Sequence, residues 1–209
     1  MKKTTSGYST LAMLILVLFA LLAAPMQAQV VNLFHKSDQC IACHTQLTAQ
    51  SGRDVSIGFN WRSSMMGNSA RDPYWMAGVR RETLDHPAAV AAIEDKCTVC
   101  HLPIARTTHV AMGEAPRAFE HFPSLGEGGP LTEFAQDGVS CTVCHQVQNE
   151  NLGTRDGFSG GYVIDLNTPM GERTAYGPFE VDEGRTRIMH SASQFTPKMA
   201  AHVQSAQFC

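Results

Sequence analysis

The residues best suited to chemistry in this chain form one pattern, Cys-x-x-Cys-His, which occurs three times. The copies are residues 40–44, 97–101 and 141–145, called motif 1, motif 2 and motif 3 below. Two thiols at this spacing on one helical turn can form thioether bonds to two vinyl groups on one porphyrin edge. The histidine that follows can then bind the iron as its axial ligand. The pattern therefore predicts three covalently attached haems of the c type.

A single Cys-x-x-Cys pair has two other interpretations, a zinc half-site and a thioredoxin-like redox pair. Here each pair is followed directly by histidine, although only 9 of the 209 residues are histidines. Three such coincidences are improbable, so haem attachment ranks above both alternatives. A zinc ribbon would also need its two pairs closer together than residues 40 and 97 allow.

The elements that position the motifs are predicted to be helical. Ser37 is expected to cap a helical turn that carries motif 1. An Asp-Pro pair at 72–73 predicts a helix that ends at His86, because Pro87 disfavours helical geometry in the residue before it. Pro87 can open a second helix, which runs through residues 88–96 into motif 2.

The remaining segments give weaker signals. Residues 103–130 contain four prolines and a Gly-Glu-Gly-Gly run and are predicted to form loops. A minor β-hairpin is expected between residues 162–166 and 179–181, and a helix from the Thr-Pro pair at 196–197 to Gln204. The expected fold class is mainly α with long irregular loops, in which small helices pack around the bound haems.

The first 28 residues have the pattern of a secretory signal peptide. Lys2 and Lys3 precede an apolar stretch at 11–22, and small residues at 23–28 suit cleavage after Ala28. The alternative is an uncleaved membrane anchor, but the apolar stretch is short against the roughly 20 residues that span a bilayer. Residues 29–209 are then one exported, periplasmic multihaem domain.

The charge balance restricts the partners. Removal of Lys2 and Lys3 leaves 14 of the 16 basic residues against 19 acidic ones, a formal charge of −5 to which haem propionates add. Nucleic acid is therefore disfavoured, and redox proteins that present a basic face are favoured. Contact with a membrane is expected only through association with respiratory complexes.

One cysteine lies outside the three motifs. Thioether bonds would consume Cys40, Cys43, Cys97, Cys100, Cys141 and Cys144, which leaves Cys209 as the last residue. A lone thiol at the end of an exported chain is unusual. We expect that Cys209 begins a fourth attachment site in a longer protein; the alternative is a genuine C-terminal thiol.

Histidines outside the motifs are the candidates for the sixth iron ligand. Ranked by their predicted settings they are His86, His109, His202 and His35, followed by His190 and His121. A lone histidine is more often a surface or hydrogen-bonded residue than a ligand. The alternative ligands are Met65, Met66, Met76 and Met112, which would raise the reduction potential.

With these motifs the chain resembles exported multihaem c-type cytochromes, similar to the cytochrome c-554 and octahaem cytochrome group. The stretches WRSSMM at 61–66 and DPYW at 72–75 share in the resemblance, which covers most of residues 35–209. It implies closely packed, mostly bis-His haems, with the motif cysteines as attachment points and His44, His101 and His145 as iron ligands. No Cys-x-x-Cys-Lys variant is present, so the hallmark of the pentahaem nitrite reductase site is missing.

Two functions fit these features. The first is electron transfer between redox partners through bis-His haems. The second is oxidation or reduction of a small nitrogen or sulfur species at an open haem. Saturated iron favours the first, and a missing sixth ligand would favour the second.

The motif count gives the first prediction. Expressed with a haem-attachment system, the chain should carry three covalent haems, because Cys209 lacks a second thiol and a histidine after it. Intact-protein mass and a haem assay measure this number. Zinc in place of haem, or fewer than three haems, would contradict it.

Overall fold

Helices are the main elements of the fold. The computed structural model describes residues 32–48, 51–122 and 130–208, about half of them helical; the expected signal peptide and Cys209 lie outside these ranges. The α-helices are α1 (Ser37–Ile41), α2 (Gly58–Arg62), α3 (Pro73–Asp85), α4 (Val90–His101), α5 (Pro103–Ala111), α6 (Pro130–Ala135), α7 (Cys141–Cys144) and α8 (Glu183–Ser193). The mainly α class is thus confirmed. No helix of the described residues is both long and apolar enough to cross a membrane.

The helix pair before motif 2 follows the predicted boundaries. The Asp72 carboxylate caps α3 by accepting from the Tyr74 backbone N–H at 2.9 Å. The helix ends before His86, whose ψ of 63° is not helical, as Pro87 requires. A short 3₁₀ turn, Pro87–Ala89, then leads into α4, and motif 2 forms the C-terminal end of α4.

Two predictions about helices are wrong. Residues 103–130 are not only loops, since α5 begins at Pro103 and α6 at Pro130. Both prolines stand at first helical positions, where a missing N–H costs nothing, and α5 is stabilised by burial of Ile104 and Ala105. Ser37 is the first residue of α1 and not its cap; its hydroxyl donates to Asp137 instead.

The sheet differs from the predicted hairpin. Strands β1 (Arg173–Gly177) and β2 (Phe195–Met199) pair in parallel, with Arg173 opposite Phe195, and α8 connects them. The segment 162–166 is irregular and packs its apolar side chains into the core.

The helix predicted from residue 196 is also wrong. Gln194 closes α8 in the left-handed conformation, φ 60°, so the chain enters β2 directly. Pro197 is tolerated in β2 because both strands of a two-stranded sheet are edges. His202 therefore lies on a 3₁₀ turn, Ala201–Gln204.

Two apolar clusters flank the motifs. The first cluster gathers around Trp75 and Leu102 beside motif 2, and the second gathers around Phe34 and Val143 beside motif 3. Helix α5 contributes Ala105 to the first cluster and Ile104 to the second. A single short helix thus joins the parts of the core that support motifs 2 and 3.

A glycine-rich loop packs tightly on motif 2, which gives the second prediction. Gly160 has φ +85°, and a Cβ there would lie 1.7 Å from Val99 Cγ1. Gly160→Ala should cost about 1–2 kcal/mol for the left-handed backbone and a further 1–3 kcal/mol, roughly, for overpacking. Chemical denaturation of the holoprotein measures the loss.

Gly171→Ala is the matched control. Gly171 has φ +97°, but nothing lies within 4 Å of the position of its Cβ. The control should therefore show only the backbone cost. Equal losses in the two variants would contradict close packing of this loop on Val99.

Candidate cofactor-binding site

Motif 2 presents its histidine in one defined tautomer. His101 Nδ1 lies 2.9 Å from the backbone oxygen of Ser69, which can only accept a hydrogen bond. Nδ1 therefore carries the proton, and Nε2 of the neutral ring keeps its lone pair. This is the usual arrangement of metal-binding histidines, in which the second nitrogen is held by a carbonyl.

Motif 3 repeats the arrangement on a different support. His145 Nδ1 donates to the Tyr176 backbone oxygen at 2.5 Å, and the Tyr176 N–H donates to the His145 oxygen at 2.7 Å. Tyr176 belongs to β1, so the sheet orients this ring. The Ser140 hydroxyl caps α7 by accepting from the Val143 N–H. His145, like His101, keeps Nε2 for a metal.

A buried polar network lies behind motif 3. Arg173 Nε donates to Gln146 Oε1 at 2.5 Å, and the Gln146 amide donates to the backbone oxygens of Leu33 and Thr142 at 2.9 and 2.8 Å. Burial lowers the pKa of Arg173, although arginine stays protonated. No local pattern in the sequence indicates this role, since a lone arginine in a glycine-rich segment resembles a surface residue.

Motif 1 packs directly against motif 3. The thiols of Cys40 and Cys141 interact with each other, which lowers the pKa of Cys141 and raises that of Cys40. Ser37 Oγ accepts from the Cys141 N–H at 3.2 Å and donates to Asp137 at 2.8 Å. Cys43 and His44, by contrast, are exposed. The first cysteines of the two motifs are therefore neighbours.

A cavity of about 1240 Å³ joins motifs 2 and 3. Its volume exceeds the 300–1,000 Å³ usual for small-molecule sites. Its walls are mostly apolar and include Cys100 and His101 on one side and Cys144 on another; Met65, Met66, Phe158, Tyr162 and Phe208 also line it. Motif 3 thus lies against motif 1 at Cys141, and its Cys144 lines the same cavity as Cys100 of motif 2.

Three histidines outside the motifs have the opposite tautomer. Nε2 of His35, His190 and His202 donates to the backbone oxygens of Ser193, Gly171 and Val147, at 2.7, 2.8 and 2.8 Å. None of them lines the cavity, where His101 is the single histidine among the described residues. His202 lies directly behind the wall, because Val147 and its ring neighbour Phe208 both line it.

His109 and His121 form a buried pair. Their Nε2 atoms lie 3.2 Å apart; Glu114 holds His109 Nδ1 at 2.9 Å, and Thr132 holds His121 Nδ1 at 3.1 Å. Burial lowers the pKa of His121 to about 4, and the neighbouring His109 adds to the effect. Only His109 was ranked highly from the sequence; His121 was ranked last.

His86 has a different environment from the other candidates. Its exposed ring lies 3.8 Å from the Glu82 carboxylate, one helical turn earlier. The corner between α3 and α4 was predicted from the proline that follows it. Glu82 also raises the pKa of Cys97 in motif 2, whereas the His86 ring itself lies at the surface.

The residues present fit covalent haem. Two motif histidines hold the tautomer that metal binding needs, and an apolar cavity adjoins the cysteines of motifs 2 and 3. No disulfide joins the six motif cysteines. Across residues 32–48, 51–122 and 130–208, no three His, Cys, Asp or Glu side chains form a group that could hold a metal ion.

Comparison with known proteins gives no relative. No protein-family model, no curated protein sequence and no solved structure matches this chain. The geometry of the site therefore carries the functional argument.

The contact between motifs 1 and 3 gives the third prediction. Ser37 is fully buried, and Ser37→Ala would remove the hydroxyl that donates to Asp137 and accepts from the Cys141 N–H, while the backbone N–H of residue 37 still donates to Asp137. The free energy of unfolding should fall by about 1–3 kcal/mol. In the control Ser191→Ala the lost hydroxyl is exposed and bonds only Ile188 within its own helix, so the change should stay within about 0.5 kcal/mol. Equal effects would show that Ser37 does not link the motifs.

Proposed function

We propose that this chain is an exported multihaem c-type cytochrome that passes electrons between redox partner proteins. The attachment residues are Cys40 and Cys43, Cys97 and Cys100, and Cys141 and Cys144; the iron ligands are His44, His101 and His145. The observation that carries the proposal is the shared tautomer of His101 and His145, each with Nδ1–H on a backbone carbonyl.

The chain's own residues would tune the cofactor in three ways. When bound, haem supplies a one-electron iron couple whose potential depends on its surroundings. The carbonyls of Ser69 and Tyr176 orient the ligand rings and raise their basicity. The apolar walls between motifs 2 and 3 limit the access of water. The Cys-x-x-Cys spacing determines the porphyrin edge through which each haem would be attached.

The arrangement of the motifs supports a relay. Motif 3 is the central one, since Cys141 contacts Cys40 of motif 1 and Cys144 shares a cavity with Cys100 of motif 2. The spatial order 1–3–2 therefore differs from the order in the sequence. Close spacing of this kind suits transfer between neighbouring centres better than three separate sites would.

The proposed signal peptide indicates where the protein is located, and its net charge indicates which partners it binds. The proposed signal peptide directs the chain to the periplasm or another exported location, where thioether bonds protect the cysteines from oxidation. The mature part is acidic, so its donors and acceptors should present basic faces.

One observation supports a second function. The cavity wall contains no histidine other than His101 among the described residues, whereas Met65 and Met66 do line it. A haem there would keep one open face or take a methionine ligand. An open face would allow oxidation or reduction of a small nitrogen or sulfur species.

Replacement of a motif histidine tests the proposed cofactor role. His101→Ala should convert one of three low-spin haems to a high-spin form, because the variant removes its axial ligand. Absorption and electron paramagnetic resonance spectra measure the change. His190→Ala is the control, since His190 is exposed and bonds Gly171. Three unchanged low-spin haems in His101→Ala would refute the assignment of His101.

Carbon monoxide distinguishes the two functions. An electron carrier with three six-coordinate haems should not bind carbon monoxide when reduced with dithionite. An open haem in the cavity should bind one equivalent and change the Soret band. The amount bound per protein, measured by titration, decides between a relay and an enzyme.

A further inference from the structure

Trp75 lies beside motif 2 in a position that core packing alone does not explain. Its side chain is only 7% exposed and belongs to the first apolar cluster. The indole is stacked flat on the His101 ring, with centroids 4.3 Å apart and planes within 2°. Phe122 meets the same indole edge-on, at 5.1 Å and 77°.

The stack and the hydrogen bond restrain different motions of His101. The bond from Nδ1 to the Ser69 oxygen fixes one atom of the ring and leaves rotation about that bond. A flat aromatic neighbour at van der Waals distance fixes the plane of the ring. Together the two contacts determine the direction in which Nε2 points. Neither contact is specified by the Cys-x-x-Cys-His pattern.

The buried indole N–H makes tryptophan energetically unfavourable at this position. Trp75 Nε1 is buried and has no hydrogen-bond partner in the part of the chain that the structure describes, although buried tryptophans usually have one. A position that needed only apolar volume would be filled better by phenylalanine or leucine. The Cys97 side chain packs against the same cluster, so the first attachment cysteine lies beside the cluster that contains Trp75.

We propose that Trp75 is a positioning residue for motif 2, which holds the plane of the His101 ring and keeps water from it, and thereby sets the reduction potential of the haem at this motif. The inference rests on the proposed function, since it requires haem at Cys97 and Cys100. Its physical basis is that the apolar shell around a metal site controls solvent access and, through it, the potential. The indole stacks on the ligand ring, and the first attachment cysteine packs against the same apolar cluster.

Redox titration of the holoprotein with three variants tests the proposal. Haem content is first measured by mass, and the titration is then resolved into its three components. Trp75→Leu should shift one component to a lower potential and change the resonance spectrum of that haem, because water stabilises the charged ferric state. Trp75→Phe keeps an aromatic face and should stay close to the unmodified protein. Leu131→Ala makes a gap beside the same cluster without a ring contact to Trp75 or His101 and should shift no component.

The outcomes distinguish a failure of the role inferred for Trp75 from a failure of the proposed function. No shift in Trp75→Leu, the same shift in Leu131→Ala, or equal shifts in Trp75→Leu and Trp75→Phe would each overturn the positioning role. Absence of haem at residues 97–101 of the unmodified protein would overturn the proposed function as well. If Trp75→Leu does not fold, Trp75→Met provides the same comparison, because methionine fills irregular gaps.

Discussion

The Nδ1–H of His101 is accepted by the Ser69 carbonyl, and that of His145 by the Tyr176 carbonyl. A neutral imidazole carries one proton, so each bond decides which nitrogen is left with a lone pair. Here the protein applies this constraint by holding a backbone carbonyl in a fixed position. Elements around motifs 2 and 3 hold these two carbonyls.

The two carbonyls are held in different ways. Ser69 begins a 3₁₀ turn, Ser69–Arg71, immediately before the capped helix α3, which places Trp75 on the same imidazole. Tyr176 lies in β1, which is paired along its length with β2 and anchored at its first residue by the buried Arg173. The small parallel sheet thus supports motif 3 by holding the Tyr176 carbonyl against His145.

The sequence predicted the parts of this arrangement that depend on local chemistry. The Asp-Pro start of α3, its end at His86 and the position of motif 2 on α4 follow from capping and proline geometry, which act over a few residues. The failures depend on distant contacts. Helix α5 follows from burial of Ile104 and Ala105, and β2 exists because β1 lies beside it. The roles of Trp75, Gln146 and Arg173 have no local signal at all.

Under the proposed function, the position of each spare histidine matters more than its present hydrogen bond. The bond from His202 to the Val147 oxygen contributes only about 0.5–1.5 kcal/mol. What matters is that Val147 and Phe208 line the cavity, so His202 stands one side chain behind its wall. His109 is instead held between Glu114 and His121. Among the histidines outside the motifs, His202 is therefore the one whose neighbours line the cavity, and under the proposed function it is the histidine candidate for a sixth ligand there.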